Sequence, residues 1–187
     1  LSSIVPELSV FPNESVTYAI VHHDEHVLVV DKRSGLVTQP GKGHETDTLL
    51  NGLYARFGTA LQRLGKARDF GLLHRLDRET SGLLVVALTS IAYDGLRRAF
   101  EGREVRKFYW AIVSAPPKRA EGVIDRPIIE STPRTGEKKL ARIGTGAMSK
   151  PAVTAYRTLA TGRGGALLEC RPVTGRLHQV RVHMESI

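Results

Sequence analysis

The chain has 187 residues, 41% hydrophobic and 25% charged, with a formal net charge of +8. That balance argues against a disordered chain, allows one domain or one and a fraction with a sizeable core, and suits either an ordinary basic surface or a phosphate-rich partner. No run approaches the ~18 apolar residues of a membrane span, the opening "LSSIVPELSVFPNES" lacks the basic and apolar regions of a secretory signal, and the single cysteine, Cys170, excludes an intrachain disulfide and fits a reducing compartment.

In chain order, "TYAIVHHDEHVLVVDK" (Thr17 to Lys32) predicts two short strands around a His-Asp-Glu turn, followed by the Gly/Pro-rich loop "RSGLVTQPGKGHETD". Leu49, Leu50, Leu53 and Phe57 recur at helical spacing, which predicts a helix over Thr48 to Phe57 with Asp47 as its N-cap. Gly82 to Thr89 is a continuous apolar run, long enough for a strand buried on both faces. Ile91 to Glu101 returns to helical period, with Ala92, Leu96, Ala99 and Phe100 on one side. In the strand "VRKFYWAIVSA", alternation places Phe108 and Trp110 on one face and Lys107, Tyr109 and Ala111 on the other. Pro116 to Lys150 holds the short apolar piece "GVIDRPII" and a basic loop, "PRTGEKKLARIGTG". "AVTAYRTLA" and "ALLECRPV" read as strands joined by the turn "TGRGG", and "TGRLHQVRVHM" opens a helix after Thr174. The sum is a strand-rich α+β chain with few long helices.

Several chemistries lack their pattern. "GTGAMSK" does not fit GxxxxGK[ST], no GxGxxG follows a strand, and Ser81 lies outside any GxSxG elbow. His178 and His183 are five apart, a spacing that a helix does not bring to one face, and Cys170 sits among apolar neighbours as an inert thiol would. Three stretches remain in which charge is embedded in apolar sequence: "HVLVVDKRSGLVTQP", "GLLHRLDRETSGLLVVALT" and "RPVTGRLHQVRVHM". Taken singly, Asp77 could cap a turn, Lys32 could close a strand, and Arg176 and Arg181 could form a solvated helix face. Taken together they suggest an aspartate at a core entrance that needs a cationic partner. Arg181 occupies the only comparable apolar setting. A carboxylate paired in this way stays ionised and keeps one rotamer, as a nucleophile or a placed base must.

In order and spacing these stretches resemble the three signature motifs of the RNA pseudouridine synthases that act on ribosomal large-subunit RNA and some transfer RNAs. "HRLDRETSGLLVVA" matches the catalytic-aspartate motif, "TGRLHQVRVHM" the C-terminal motif, and "DEHVLVVDKRSGL" the N-terminal one, with Arg33 where proline is usual. "KFYWA", "GVIDRPI" and "KPAVTAYR" match intervening segments, so the resemblance runs from Tyr18 to Met184. It implies a mixed, mainly antiparallel central sheet with flanking helices and loops. Residues 1–16 would be an extension or linker, and 17–187 a catalytic domain lacking its C-terminal strands.

It also implies roles. Asp77 would be the catalytic carboxylate, and Arg181 its partner in a buried ion pair, whose disruption would cost roughly 3–5 kcal/mol. Tyr109 would stack on the target uracil. Arg75 would help displace the base, with His74, Arg78, Arg176, His178, Gln179 and Lys32 as further RNA contacts. No metal, nucleotide or redox cofactor is implied. The basic segments Arg97 to Lys107 and Arg134 to Arg142 are expected to meet phosphates through charge alone. The partner is RNA, ribosomal RNA ahead of transfer RNA, with an assembly intermediate of the ribosome as a further partner, no membrane, and a monomeric protein. The cytoplasm of a bacterium is the expected compartment and the mitochondrial matrix the alternative. A second reading keeps the fold and drops the turnover, leaving an RNA-binding ribosome-assembly factor. A scaffold of that kind has no physical need for Asp77, Tyr109 and Arg181 together.

Overall fold

Two apolar-rich runs, Val27–Lys32 and Gly82–Ala87, bury every second side chain against the same interior. The structure is a computed structural model that describes residues 10–131 and 140–187. The chain divides into two compact units, Leu1–Gly102 and Arg103–Ile187.

In the first unit, β1 (Ala19–His23), β2 (Val27–Lys32) and β3 (Gly82–Ala87) form an antiparallel sheet with β2 in the centre. Leu28, Val30 and Lys32 of β2 and Leu84 and Val86 of β3 all point into the core. Only one face is covered. Leu83 is 56% exposed, so β3 is a one-faced edge strand, not the doubly buried strand that its unbroken apolar run predicts.

Helix α1 runs over Leu49–Leu64, longer than its first apolar stripe, because Leu61 and Leu64 continue to pack inward beyond a bend at Phe57. Its N-cap is Thr48, one residue later than expected. The Thr48 N–H and hydroxyl both donate to Asn51 Oδ1, at 3.0 and 2.6 Å. Asp47 instead accepts from His44, 2.9 Å away. Helix α2 spans Ser90–Glu101 behind a Thr89 cap, whose hydroxyl accepts from the Ala92 N–H. Between the helices a 3-10 segment, Lys66–Gly71, ends on Gly71 at φ 88, where a Cβ would run into the Ala87 carbonyl oxygen.

The second unit is built on a four-stranded antiparallel sheet in the order β4 (Tyr109–Val113), β10 (Gly165–Pro172), β9 (Val153–Gly162), β5 (Glu121–Asp125). A smaller sheet places β6 (Ile128–Ser131) between β7 (Leu140–Ile143) and β8 (Ser149–Lys150). The inner face of the large sheet and helix α3 (Gln179–Glu185) enclose Ile124, Ala166, Leu168, Cys170 and Met184. Burial pushes the Cys170 thiol up to about 11, and the thiol donates to the Met184 sulfur at 3.4 Å, so it is inert as expected. On the outer face Trp110 and Ile112 are 75% and 84% exposed, which confirms the alternation expected of β4. All strand pairings among the described residues are antiparallel, and the class is α+β.

Candidate functional site

The segment His74–Gly82 leaves the core beside β3 and returns to it, and its side chains sort by what the interior can accept. Leu76 is buried, Asp77 half-buried, and Arg75 and Arg78 exposed. His74 is fixed from two sides. Its Nε2 accepts from the Val85 N–H at 3.2 Å, and its ring stacks on Phe100 with centroids 5.1 Å apart. The Asp77 carbonyl accepts from the Thr80 N–H at 3.1 Å, which closes a turn around the aspartate. The loop after β2 packs alongside. Thr38 Oγ1 donates to the Leu76 carbonyl at 2.8 Å and accepts from the Leu76 N–H at 3.3 Å. Gly35 N–H donates to the Arg78 carbonyl at 2.8 Å, and Ser34 Oγ to the Glu79 carbonyl at 2.9 Å.

Lys32 is the correction in this unit. A phosphate contact needs an ammonium in water, but Lys32 is 0% exposed. Its Nζ donates to the carbonyls of Leu36, Arg33 and Arg78 at 2.7, 3.0 and 3.2 Å, which uses all three donors. Burial pulls its pKa below the usual lysine value, and the Asp77 and Glu79 carboxylates oppose that.

In the second unit Tyr109 opens β4 opposite Cys170 of β10 and packs, half-buried, against the core of that sheet. Arg181 is exposed on α3, and Arg181 Nη1 lies 3.5 Å from His178 Nδ1. Arg176 is tied by its Nε to the Pro151 carbonyl at 3.0 Å.

Gln179 is the second correction. It is buried, and its side chain is consumed within the protein. Oε1 accepts from the Thr174 hydroxyl and the Arg176 N–H at 2.7 and 3.0 Å, and Nε2 donates to the Val153 carbonyl and Thr154 Oγ1, both at 3.0 Å. These bonds fold the turn 174–178 onto β9 and delay the helix, which starts at Gln179 after His178 in a left-handed conformation (φ 51). Thr154 passes the chain on to fully buried His183, whose Nδ1 lies 2.9 Å from the hydroxyl and whose Nε2 donates to the Arg126 carbonyl at 3.0 Å. The helix that carries Arg181 is thus pinned to the sheet by a continuous polar network.

The basic segments are less uniform than their composition suggests. Arg97 is paired with Glu101 at 2.8 Å, and Lys107 is half-buried with its Nζ on the Thr174 carbonyl at 3.3 Å, while Arg98, Arg103, Arg106 and Arg142 are exposed. Residues 132–139, most of the second basic segment, lie outside the described residues. Sequence reading gave Thr38, Ser34, Thr154 and His183 no role, although all four stand inside the stretches it singled out, because neutral groups carry no charge signal there.

Known proteins share this sequence pattern and this fold. Residues 26–186 match the sequence profile of a family described as RNA pseudouridylate synthase. The chain is 40% identical over 174 residues to a ribosomal large subunit pseudouridine synthase D of Zymomonas mobilis subsp. mobilis, covering 93% of this chain and 54% of the relative. It is 38% identical over 174 residues to a protein of the same description from Nitrosomonas europaea, covering 93% and 48%. The solved structure of human RNA pseudouridylate synthase domain containing 4 superposes with a TM-score of 0.68 at 29% identity, over 90% of this chain and 64% of that one. The chain spans about half the length of the curated relatives it matches.

Proposed function

We propose that this chain, which belongs to the RNA pseudouridylate synthase family, isomerises uridine to pseudouridine in RNA, with ribosomal large-subunit RNA as the substrate. The observation that carries the reading is the setting of Asp77: a half-buried carboxylate whose two neighbours in sequence are anchored to the interior by backbone hydrogen bonds, with Arg75 and Arg78 exposed on either side. The relatives described as ribosomal large subunit synthases support the choice of substrate.

In this reading residues 17–187 act as the catalytic domain and 1–16 as an extension. The reaction detaches uracil from ribose, turns it, and rejoins it through carbon, so a carboxylate must be held near the sugar either to attack it or to take a ribose proton. Asp77 serves as that carboxylate and Arg181 as its cationic partner. Tyr109 offers an aromatic face to the displaced uracil, and Arg75 fills the space that the base leaves in its stack, offsetting a few kcal/mol of unstacking. Arg78, Arg176 and His178 contribute charge and hydrogen bonds at the RNA. The protein works as a monomer, in the cytoplasm of a bacterium.

Single-turnover conversion of a large-subunit RNA transcript tests this in the full-length protein. Asp77→Asn keeps the shape and removes the charge, and is expected to abolish isomerisation while RNA binding persists. Conversion by a folded Asp77→Asn protein at a rate near that of the native one overturns the assignment. A native protein that binds the transcript and leaves every uridine unchanged supports the assembly-factor reading instead.

A further inference from the structure

We propose that Glu130 is a positioning residue for His178 and Arg181, acting through the backbone of Leu177 and not through the RNA. The inference rests on Arg181 being the cationic partner of the catalytic carboxylate.

Glu130 lies on β6, 47 residues from the turn that it meets. Its Oε1 accepts from the Leu177 N–H at 3.1 Å, and its Oε2 accepts from Lys150 Nζ on β8 at 2.7 Å. β6 and β8 are paired at Ile128 and Lys150, so the carboxylate is braced by its own sheet before it reaches the turn. Pro151, which follows Lys150, takes Arg176 Nε on its carbonyl at 3.0 Å. The small sheet thus grips two consecutive residues of the turn, Arg176 by its side chain and Leu177 by its backbone.

The next residue is His178, at φ 51 and ψ 24. A residue with a Cβ stays in that left-handed conformation only where its surroundings fix it. On the far side of His178, the Gln179 N–H donates to the Arg176 carbonyl at 3.2 Å and the Val182 N–H to the His178 carbonyl at 3.0 Å. On the near side stands the Leu177 peptide, whose N–H is on Glu130. The direction of the imidazole follows from that backbone, and its Nδ1 lies 3.5 Å from Arg181 Nη1. Gln179 secures the turn from the core, and Glu130 secures it from the partly exposed small sheet.

An exposed ion pair alone contributes little. Glu130 differs because only one of its oxygens serves the pair, while the other holds a backbone N–H. The Lys150 ammonium and the Leu177 N–H keep its carboxyl below the usual glutamate value, so both oxygens remain acceptors at neutral pH. A carboxylate beside Lys150 and the Arg176 turn also repels phosphate, an unfavourable choice for a surface that served RNA affinity alone.

Single-turnover rate, and RNA affinity at several salt concentrations, test the proposal on full-length native, Glu130→Gln, Glu130→Met, Glu130→Ala and Asp77→Asn proteins. Glu130→Gln keeps an acceptor for the Leu177 N–H, whereas Glu130→Met and Glu130→Ala remove it. A misplacement of about 1 Å can cost about 100-fold in rate, so the partial loosening in Glu130→Met and Glu130→Ala is expected to slow conversion about tenfold. Glu130→Gln should convert within about threefold of the native rate. All three variants release Lys150 from its charge partner, so affinity and salt slope should shift alike in all three while the rate separates them. If one of the two variants without an acceptor does not fold, the other decides. A rate that is the same in Glu130→Gln as in Glu130→Met and Glu130→Ala overturns the proposal and leaves Glu130 as a charge that masks Lys150. Native rates in all three also overturn it. Either result beside an active native protein and an inactive Asp77→Asn leaves the functional reading standing. An active Asp77→Asn removes that reading itself.

Discussion

Thr154 on β9 and His183 on α3 meet inside the second unit with the threonine hydroxyl 2.9 Å from Nδ1 of the imidazole. With Nε2 donating to the Arg126 carbonyl, the ring has one acceptor and one donor nitrogen, which is the neutral form, and burial holds its pKa below the usual histidine value. The unfolded imidazole takes its proton near pH 6.5. The unfolded state therefore binds more protons as the pH falls below that value. The stability that His183 contributes is complete above it and is lost as the pH drops toward the folded pKa. Denaturation midpoints are expected to fall between pH 7 and pH 5, and the slope should shrink in His183→Gln. An unchanged slope in the variant contradicts the neutral assignment.

Two glycines in the first unit should respond in opposite directions to alanine. Gly71 has φ 88 and a Cβ there meets the Ala87 carbonyl, whereas Gly95 lies inside α2 with nothing within 4 Å of the added atom. Gly71→Ala is expected to destabilise by about 2–4 kcal/mol, and Gly95→Ala to stabilise by about 0.4–1 kcal/mol. Chemical denaturation of both variants measures the contrast.

Tyr109→Phe keeps the ring that packs against the core of the large sheet and removes only the hydroxyl. It is expected to retain RNA binding and lose most turnover, because a hydroxyl can relay a proton during the rearrangement. Full turnover in Tyr109→Phe reduces the residue to stacking, a contribution of about 1–3 kcal/mol to binding. Full turnover in Tyr109→Ala removes it from the site.

Because Arg181 is exposed, Arg181→Met should change unfolding stability by no more than about 1 kcal/mol while conversion falls sharply. A stability loss of roughly 3–5 kcal/mol would instead support the buried ion pair that its apolar sequence setting suggests.

Arg98, Arg103 and Arg106 are exposed, and neutralising them should flatten the salt dependence of RNA binding by up to about one unit of slope for each phosphate left without its arginine. The choice of uridine should not change. A shifted modification site with an unaltered salt slope would assign these residues to recognition.

What could be read from sequence was whatever depends on near neighbours. Alternation in "KFYWAIV" placed Tyr109 and Trp110 on opposite faces, and the structure agrees, with Tyr109 inward and Trp110 in solvent, because strand geometry imposes that period on any pleated segment. The embedded charges of "HRLDRETSG" and "TGRLHQVRVHM" identified the family through residue order alone. The helix cap was misplaced by one residue because Thr48 and Asp47 are both capping types; Asn51 closes a capping box on Thr48 in place of the usual Glu or Gln, while Asp47 is taken by His44. The resemblance alone assigned Lys32 and Gln179 to the RNA, through the charged motifs in which they stand. Only the tertiary structure decided otherwise. The Arg78 carbonyl that receives Lys32 is 46 residues away, and Thr154, which receives Gln179, is 25 away. A buried polar side chain is tolerated only where its partners converge, and that convergence is a property of the folded chain, not of any segment within it.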